Sequence, residues 1–129
     1  MIVKTHVILY VADQARSTAF YSAVLDLAPT LNAPGMTEFE LAGQTILGLM
    51  PESGIRKLIG QHLPDPALAR GTPRAELYLL VDSPEAYHRR AMAAGAGELS
   101  GLALRNWGHW VSYCLDPDTH VIAFATTTK

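Results

Sequence analysis

The 129 residues contain a single cysteine, Cys114, so no intrachain disulfide can form. That scarcity suits a reducing compartment, and a cytoplasmic protein is expected. Cys114 lies inside the apolar run Val111–Leu115 and reads as a buried structural thiol, not a nucleophile. Charge is also sparse, with 17% charged residues and a formal net charge of −2. There is no basic block. Arg56-Lys57 and Arg89-Arg90 are isolated pairs that read as solvated helix faces, which argues against a nucleic-acid partner. No apolar run approaches the roughly 20 residues of a membrane span. Residues 1–12 lack the successive regions of a signal peptide, so no membrane partner is expected. Low-complexity tracts are absent as well.

The apolar fraction of 49% in a chain this short implies one soluble globular domain, 1–129, with a real core. The chain is self-similar. His6-Val-Ile-Leu-Tyr-Val11 opens the first half, and Glu76-Leu-Tyr-Leu-Leu-Val81 opens the second. Each strand-like run leads into a helix-like run, Ala15–Leu25 or Glu85–Ala94, and each half closes on further strand-like runs. Such repetition marks a duplicated unit. Unit one is expected over 1–50 and unit two over 75–129, with His6 and Glu76 at matched positions.

Local signals place the elements. Thr5–Val11 is apolar nearly throughout, and alternation puts His6, Ile8 and Tyr10 on one face. Asp13 is a suitable helix N-cap, and Phe20, Tyr21, Val24 and Leu25 recur at helical spacing. Pro29, Pro34 and Gly35 break the chain. A hairpin follows, Thr37–Leu41 and Thr45–Met50, around Ala42-Gly43-Gln44. Residues 51–74 are rich in proline and glycine, with a short helix near Ile55–Ile59. They read as a linker, either a plain connector or a lid. Ser83-Pro84-Glu85 starts the second helix and Gly95 ends it. Glu98–Leu104, Trp110–Leu115 and His120–Ala125 are the remaining strands, the last two joined by the turn Asp116–Thr119. His62, His88 and His120 show no matching partners and read as loop, helix-face and strand-edge residues.

His6, Val11-Ala12-Asp13 with Ser17, Phe20-Tyr21, Val24-Leu25, Val81-Asp82, Ala94-Gly95-Ala96, and Asp116-Pro117-Asp118 followed by His120-Val-Ile-Ala-Phe124 come in a telling order and spacing. In these the chain resembles the vicinal oxygen chelate superfamily, which includes glyoxalase I, extradiol dioxygenases, fosfomycin-resistance transferases and bleomycin-binding proteins. The resemblance spans almost the whole chain. It implies an α+β fold of two βαβββ units forming a curved mixed sheet around a cavity, and a homodimer.

It also implies where a metal would sit. Metal-binding members place ligands on the first and last strands of each unit. Here those positions are His6, Gly48, Glu76 and Ala123. Divalent metals at such sites take His nitrogen and carboxylate oxygen. His6 and Glu76 can supply these, whereas Gly48 and Ala123 carry no ligand atom. The site is incomplete, and loss of two carboxylates is expected to widen the cavity floor. Without a metal, His6 and Glu76 are either an acid–base pair or a mutually satisfied polar pair.

The inward faces give the expected lining. Tyr10, Ile46, Gly48, Met50, Tyr78 and Ala123 follow from the strand alternation, and pairing the hairpins adds Phe39, Leu41, Val111 and Tyr113. The resemblance to fosfomycin-resistance proteins supports Tyr113. Trp107 and His109, in Asn106-Trp107-Gly108-His109-Trp110, are expected at the cavity mouth. The expectation is therefore a protein that binds a small, partly aromatic or apolar molecule without the full metal site and without a cofactor. The alternative is a divalent-metal enzyme using His6 and Glu76: a lyase, isomerase, thiol transferase or dioxygenase. A pure interaction domain is the third class.

Overall fold

The computed structural model describes residues 1–128 as two compact units. The first comprises Met1–Ser22 and Asp26–Arg70. The second comprises Ala23–Leu25 and the chain from Gly71 onward.

In the first unit, β1 (Thr5–Val11) leads into α1 (Gln14–Leu25), followed by β2 (Leu31–Ala33), β3 (Met36–Leu41) and β4 (Thr45–Pro51). The sheet order is β1-β4-β3-β2, with β1 parallel to β4 and the other pairs antiparallel. Asp13 caps α1 by accepting the Arg16 N–H at 3.0 Å. Strand β2 is an addition to the sequence reading. It is a three-residue edge strand between Pro29 and Pro34, too short to leave a periodic signal. The sheet then continues into α2 (Glu52–Ile59) and a 3-10 turn at Pro66–Ala69. Most of the expected linker is therefore structured within this unit. Buried Glu52 accepts from Arg70 Nη2 at 2.5 Å, which ties α2 to the far end of the segment.

The second unit repeats the plan with β5 (Glu76–Leu80), α3 (Pro84–Ala93), β6 (Gly97–Leu104), β7 (Trp110–Leu115) and β8 (Val121–Thr126). Its order is β5-β8-β7-β6, with β5 parallel to β8. Ser83 caps α3 ahead of Pro84, and Gly95 follows the helix at φ +94°, where a side chain would be strained. The α+β architecture expected from the duplication is thus present, with three strands closing each half.

In each sheet one face packs on a helix, α1 in the first unit and α3 in the second. Gln14 Nε2 and Thr18 Oγ1 on α1 bond Thr37 Oγ1 at 3.0 and 2.8 Å, placing α1 on the Thr37 face of β3. Tyr87 of α3 stacks on Phe124 at 5.6 Å between ring centres, placing α3 on the Phe124 face of β8. The turn between β7 and β8 is held by buried Asp116, which bonds the amides of Asp118 and His120 and the His120 ring. His120 is thus buried and partnered, not a strand-edge residue. His88 also has a partner, with Nε2 2.6 Å from Glu98 Oε2.

Candidate functional site

Residues paired in register share a sheet face, so the pairings decide which side chains stand together. On the first sheet, His6 pairs with Ile46, Ile8 with Gly48, and Tyr10 with Met50. Across the hairpin, Ile46 pairs with Glu40 and Gly48 with Glu38. The face opposite α1 therefore carries His6, Tyr10, Ile46, Gly48 and Met50 together with two carboxylates. Phe39 is a correction to the expected lining. It pairs with Leu47, lies on the α1 face, and is fully buried there. Leu41, paired with Thr45, goes with it.

Glu38 is the residue that sequence reasoning missed. Its Oε2 lies 3.5 Å from His6 Nδ1, with side-chain exposures of 23% and 41%. Such a separation permits ion pairing but is long for a hydrogen bond. A Cβ at Gly48 would stand 3.1 Å from Ile8 Cγ1 and 3.3 Å from Met36 Sδ. Those side chains already crowd the point at which any larger residue at Gly48 would begin.

On the second sheet, Glu76 pairs with Val121, Tyr78 with Ala123, and Ala123 in turn with Tyr113. Buried Val111, Ala123 and Ala125 form an apolar floor against which Tyr113 packs. Three of the expected ligand-binding residues are linked directly. Trp107 Nε1 donates to Tyr78 Oη at 2.9 Å, and Tyr78 Oη lies 2.6 Å from His109 Nδ1. Indole can only donate, so Tyr78 accepts from Trp107. The trio remains open to solvent, with Trp107 52% and Tyr78 36% exposed.

Tyr113 is partly buried, and that burial is the main cause of a phenol pKa above its usual value of 10.0. The negative charge of Glu76 and then Tyr78 push the same way, while Arg105 opposes them. Arg105 holds its guanidinium carbon 5.1 Å from the centre of the Tyr113 ring. No sequence motif singled out Arg105. A bulged β6 brings it there, because the β6–β7 register slips between Ser100 and Ala103.

A metal of the kind the resemblance implies would need three or four converging donors. Among the described residues no three His, Cys, Asp or Glu side chains are grouped that way. The first sheet offers His6 and Glu38 and the second offers Glu76, while Gly48 and Ala123 contribute nothing. The donor set does not fit the group.

A separate groove of about 470 Å³ lies on the first unit beside α2. Its Arg70 and Arg56 are already paired, with Glu52 and with Asp65 at 3.0 Å, which leaves little to hold a ligand. No described helix is long and apolar enough to cross a membrane.

The sequence profile of the Glyoxalase/Bleomycin resistance protein/Dioxygenase superfamily matches residues 5–124. The chain belongs to this superfamily. The duplicated βαβββ units, with β1 parallel to β4 and β5 parallel to β8, agree with that membership. No curated protein matches the chain. Among solved structures, a glyoxalase-related enzyme from Fulvimarina pelagi aligns with TM-score 0.80 at 21% identity, covering 97% of this chain and 87% of the other. A glyoxalase/bleomycin resistance protein/dioxygenase from Nocardioides gives 0.78 at 23% identity, over 98% and 83%. A protein from Agrobacterium tumefaciens gives 0.74 at 25% identity over the full length of both chains. At these identities the superfamily fold is shared, and the chemistry must be argued from the residues.

Proposed function

We propose that the protein binds a small, partly aromatic or apolar molecule on the face of its second sheet opposite α3, without the full metal site of the superfamily's metal enzymes. The observation that carries this reading is the hydrogen-bonded trio Trp107–Tyr78–His109 beside Tyr113. Large aromatic rings are costly to leave in water, and here they are held in fixed orientations while exposed. Rings fixed in advance lose little freedom when a planar molecule stacks on them. The buried aliphatic floor of Val111, Ala123 and Ala125 supplies apolar contact beneath. The superfamily name includes proteins of bleomycin resistance, which is consistent with binding as a function in itself.

A homodimer and a cytoplasmic setting belong to the same reading. The dimer is supported by exposed apolar side chains on edge strands: Ile8 on β1, Leu80 on β5, Leu99 and Leu104 on β6. Light scattering at micromolar concentration is expected to report twice the chain mass.

The test of binding is a fragment screen read by the indole N–H resonance of Trp107. Planar aromatic fragments are expected to shift it, and Tyr78→Phe to weaken them. A screen with no shifted resonance sinks the binding reading. Stoichiometric Zn, Mn, Ni or Fe in protein purified without chelator, lost in His6→Ala, would replace it by the metal-enzyme reading.

A further inference from the structure

Arg105 makes an unusual set of contacts for a cation. Its Nη2 donates to Ser100 Oγ at 2.8 Å, Val111 O at 2.9 Å and Gly101 O at 3.3 Å, all neutral acceptors. Its Nε is buried without a partner. Among the described residues no carboxylate pairs with it, and Nη1 makes no hydrogen bond. One edge of the guanidinium is therefore clamped to the bulged β6 and to β7, the flat face covers Tyr113, and a full positive charge is left uncompensated. A charged N–H of this kind makes strong, charge-assisted hydrogen bonds to carboxylates and phosphates.

We infer that Arg105 is an anion anchor, and that the ligand of the second sheet is a planar aromatic compound bearing a carboxylate or similar oxyanion. The inference rests on the binding reading above and adds the ligand's charge to it. The clamp leaves Nη1 as the free donor. The rings of Tyr113, Tyr78 and Trp107 stand on or beside the same face to receive the aromatic part. Glu76 gives the face a polarity. It pairs with Val121, which pairs with Leu115, whereas Arg105 bonds Val111, whose partner is Ala125; acid and base thus stand toward opposite ends of the strands, and an anion is drawn to the Arg105 end.

The experiment compares two isosteric probes, 2-naphthoate and 2-naphthamide, by calorimetry on the full chain. The naphthoate is expected to bind roughly 10- to 100-fold tighter, the size of a charge-assisted hydrogen bond. Arg105→Gln is expected to abolish the preference, bringing the ratio of naphthoate to naphthamide affinity to about one, whatever the change in absolute affinity. Equal affinities in the wild-type protein, or a preference that survives Arg105→Gln, overturn the anion anchor but leave aromatic binding intact. If neither probe binds at millimolar concentration, the binding reading falls and the anchor with it. Should Arg105→Gln fail to fold, Arg105→Lys keeps the charge but loses the clamp to Ser100, Gly101 and Val111 that fixes the free donor. It is expected to retain only part of the preference, and an undiminished preference overturns the assignment.

Discussion

Replacing Asp116 by alanine is expected to destabilise the protein by about 3–5 kcal/mol, because a buried acid there satisfies three donors at once. The Asp116 side chain is wholly buried. Oδ1 accepts the amides of Asp118 at 2.8 Å and His120 at 2.9 Å, and Oδ2 faces His120 Nδ1 at 3.0 Å. On the far side of that ring, Arg74 Nη2 lies 3.1 Å from His120 Nε2. Arginine only donates, so Nε2 must accept, and the ring proton must stand on Nδ1 and point at Asp116. Alanine would leave two amides and one imidazole N–H without acceptors. Each buried orphan costs about 1–3 kcal/mol, reduced where water enters the vacated space. A domain has about 5–15 kcal/mol in all, so the variant would stand near its unfolding threshold. Asparagine separates the contributions. It keeps one oxygen for the two amides but sets its own N–H₂ against His120 Nδ1–H, orphaning one donor, for a loss of about 1–3 kcal/mol. Urea unfolding followed by far-ultraviolet circular dichroism measures all three proteins. A loss below about 1 kcal/mol for Asp116→Ala, or an asparagine variant as unstable as the alanine one, would refute the network argument.

Other outcomes follow from the same contacts. Burial first, then the carboxylates of Asp116 and Glu98, push the Cys114 thiol up from 9.0 to about 12. A pKa raised in the folded state contributes stability that is present below pH 9.0 and lost as pH rises toward about 12. The stability difference between wild type and Cys114→Ala should therefore shrink by about 1.4 kcal/mol per pH unit in that window, and a pH-independent difference would contradict it. A disulfide reagent at pH 8 should leave Cys114 unmodified until denaturant is added. Phe39→Ala should cost about 3–5 kcal/mol as a core cavity, measured by urea unfolding, yet leave aromatic probe binding unchanged in the folded fraction. A selective loss of binding in the folded fraction would contradict both the burial of Phe39 on the α1 face and the placing of the ligand on the second sheet. Tyr78→Phe removes the partner of both Trp107 and His109, so Trp107 emission should become more freely quenched by iodide with a stability loss of about 0.5–1.5 kcal/mol.

The elements that could be read in advance were those with local causes. The Asp13 and Ser83 caps, Pro84 at a helix start and the apolar run of β1 depend on residues close in sequence, and each appears where its signal lies. Strand β2 could not be read, because three residues between prolines carry no period and its pairing to β3 comes from the tertiary fold. Facing directions depended on register. In the second unit Tyr113 pairs with Ala123, as the alternation suggests. In the first, the turn that pairs Leu41 with Thr45 sets Glu38 and Glu40, not Phe39, beside Gly48 and Ile46 of β4. A shift of one residue turns every side chain over.

The duplication and the strand-then-helix opening of each half are properties of the sequence alone, since they are matters of residue identity and spacing, and the resemblance they support is what marks Gly48 and Ala123 as ligand positions without ligand atoms. The partner of His6, the crowding at Gly48, the bonding of Tyr78 to Trp107 and His109, and the placing of Arg105 over Tyr113 were decided by tertiary structure. Each joins residues on different strands or loops, whose approach is set by strand register and by the bulge in β6.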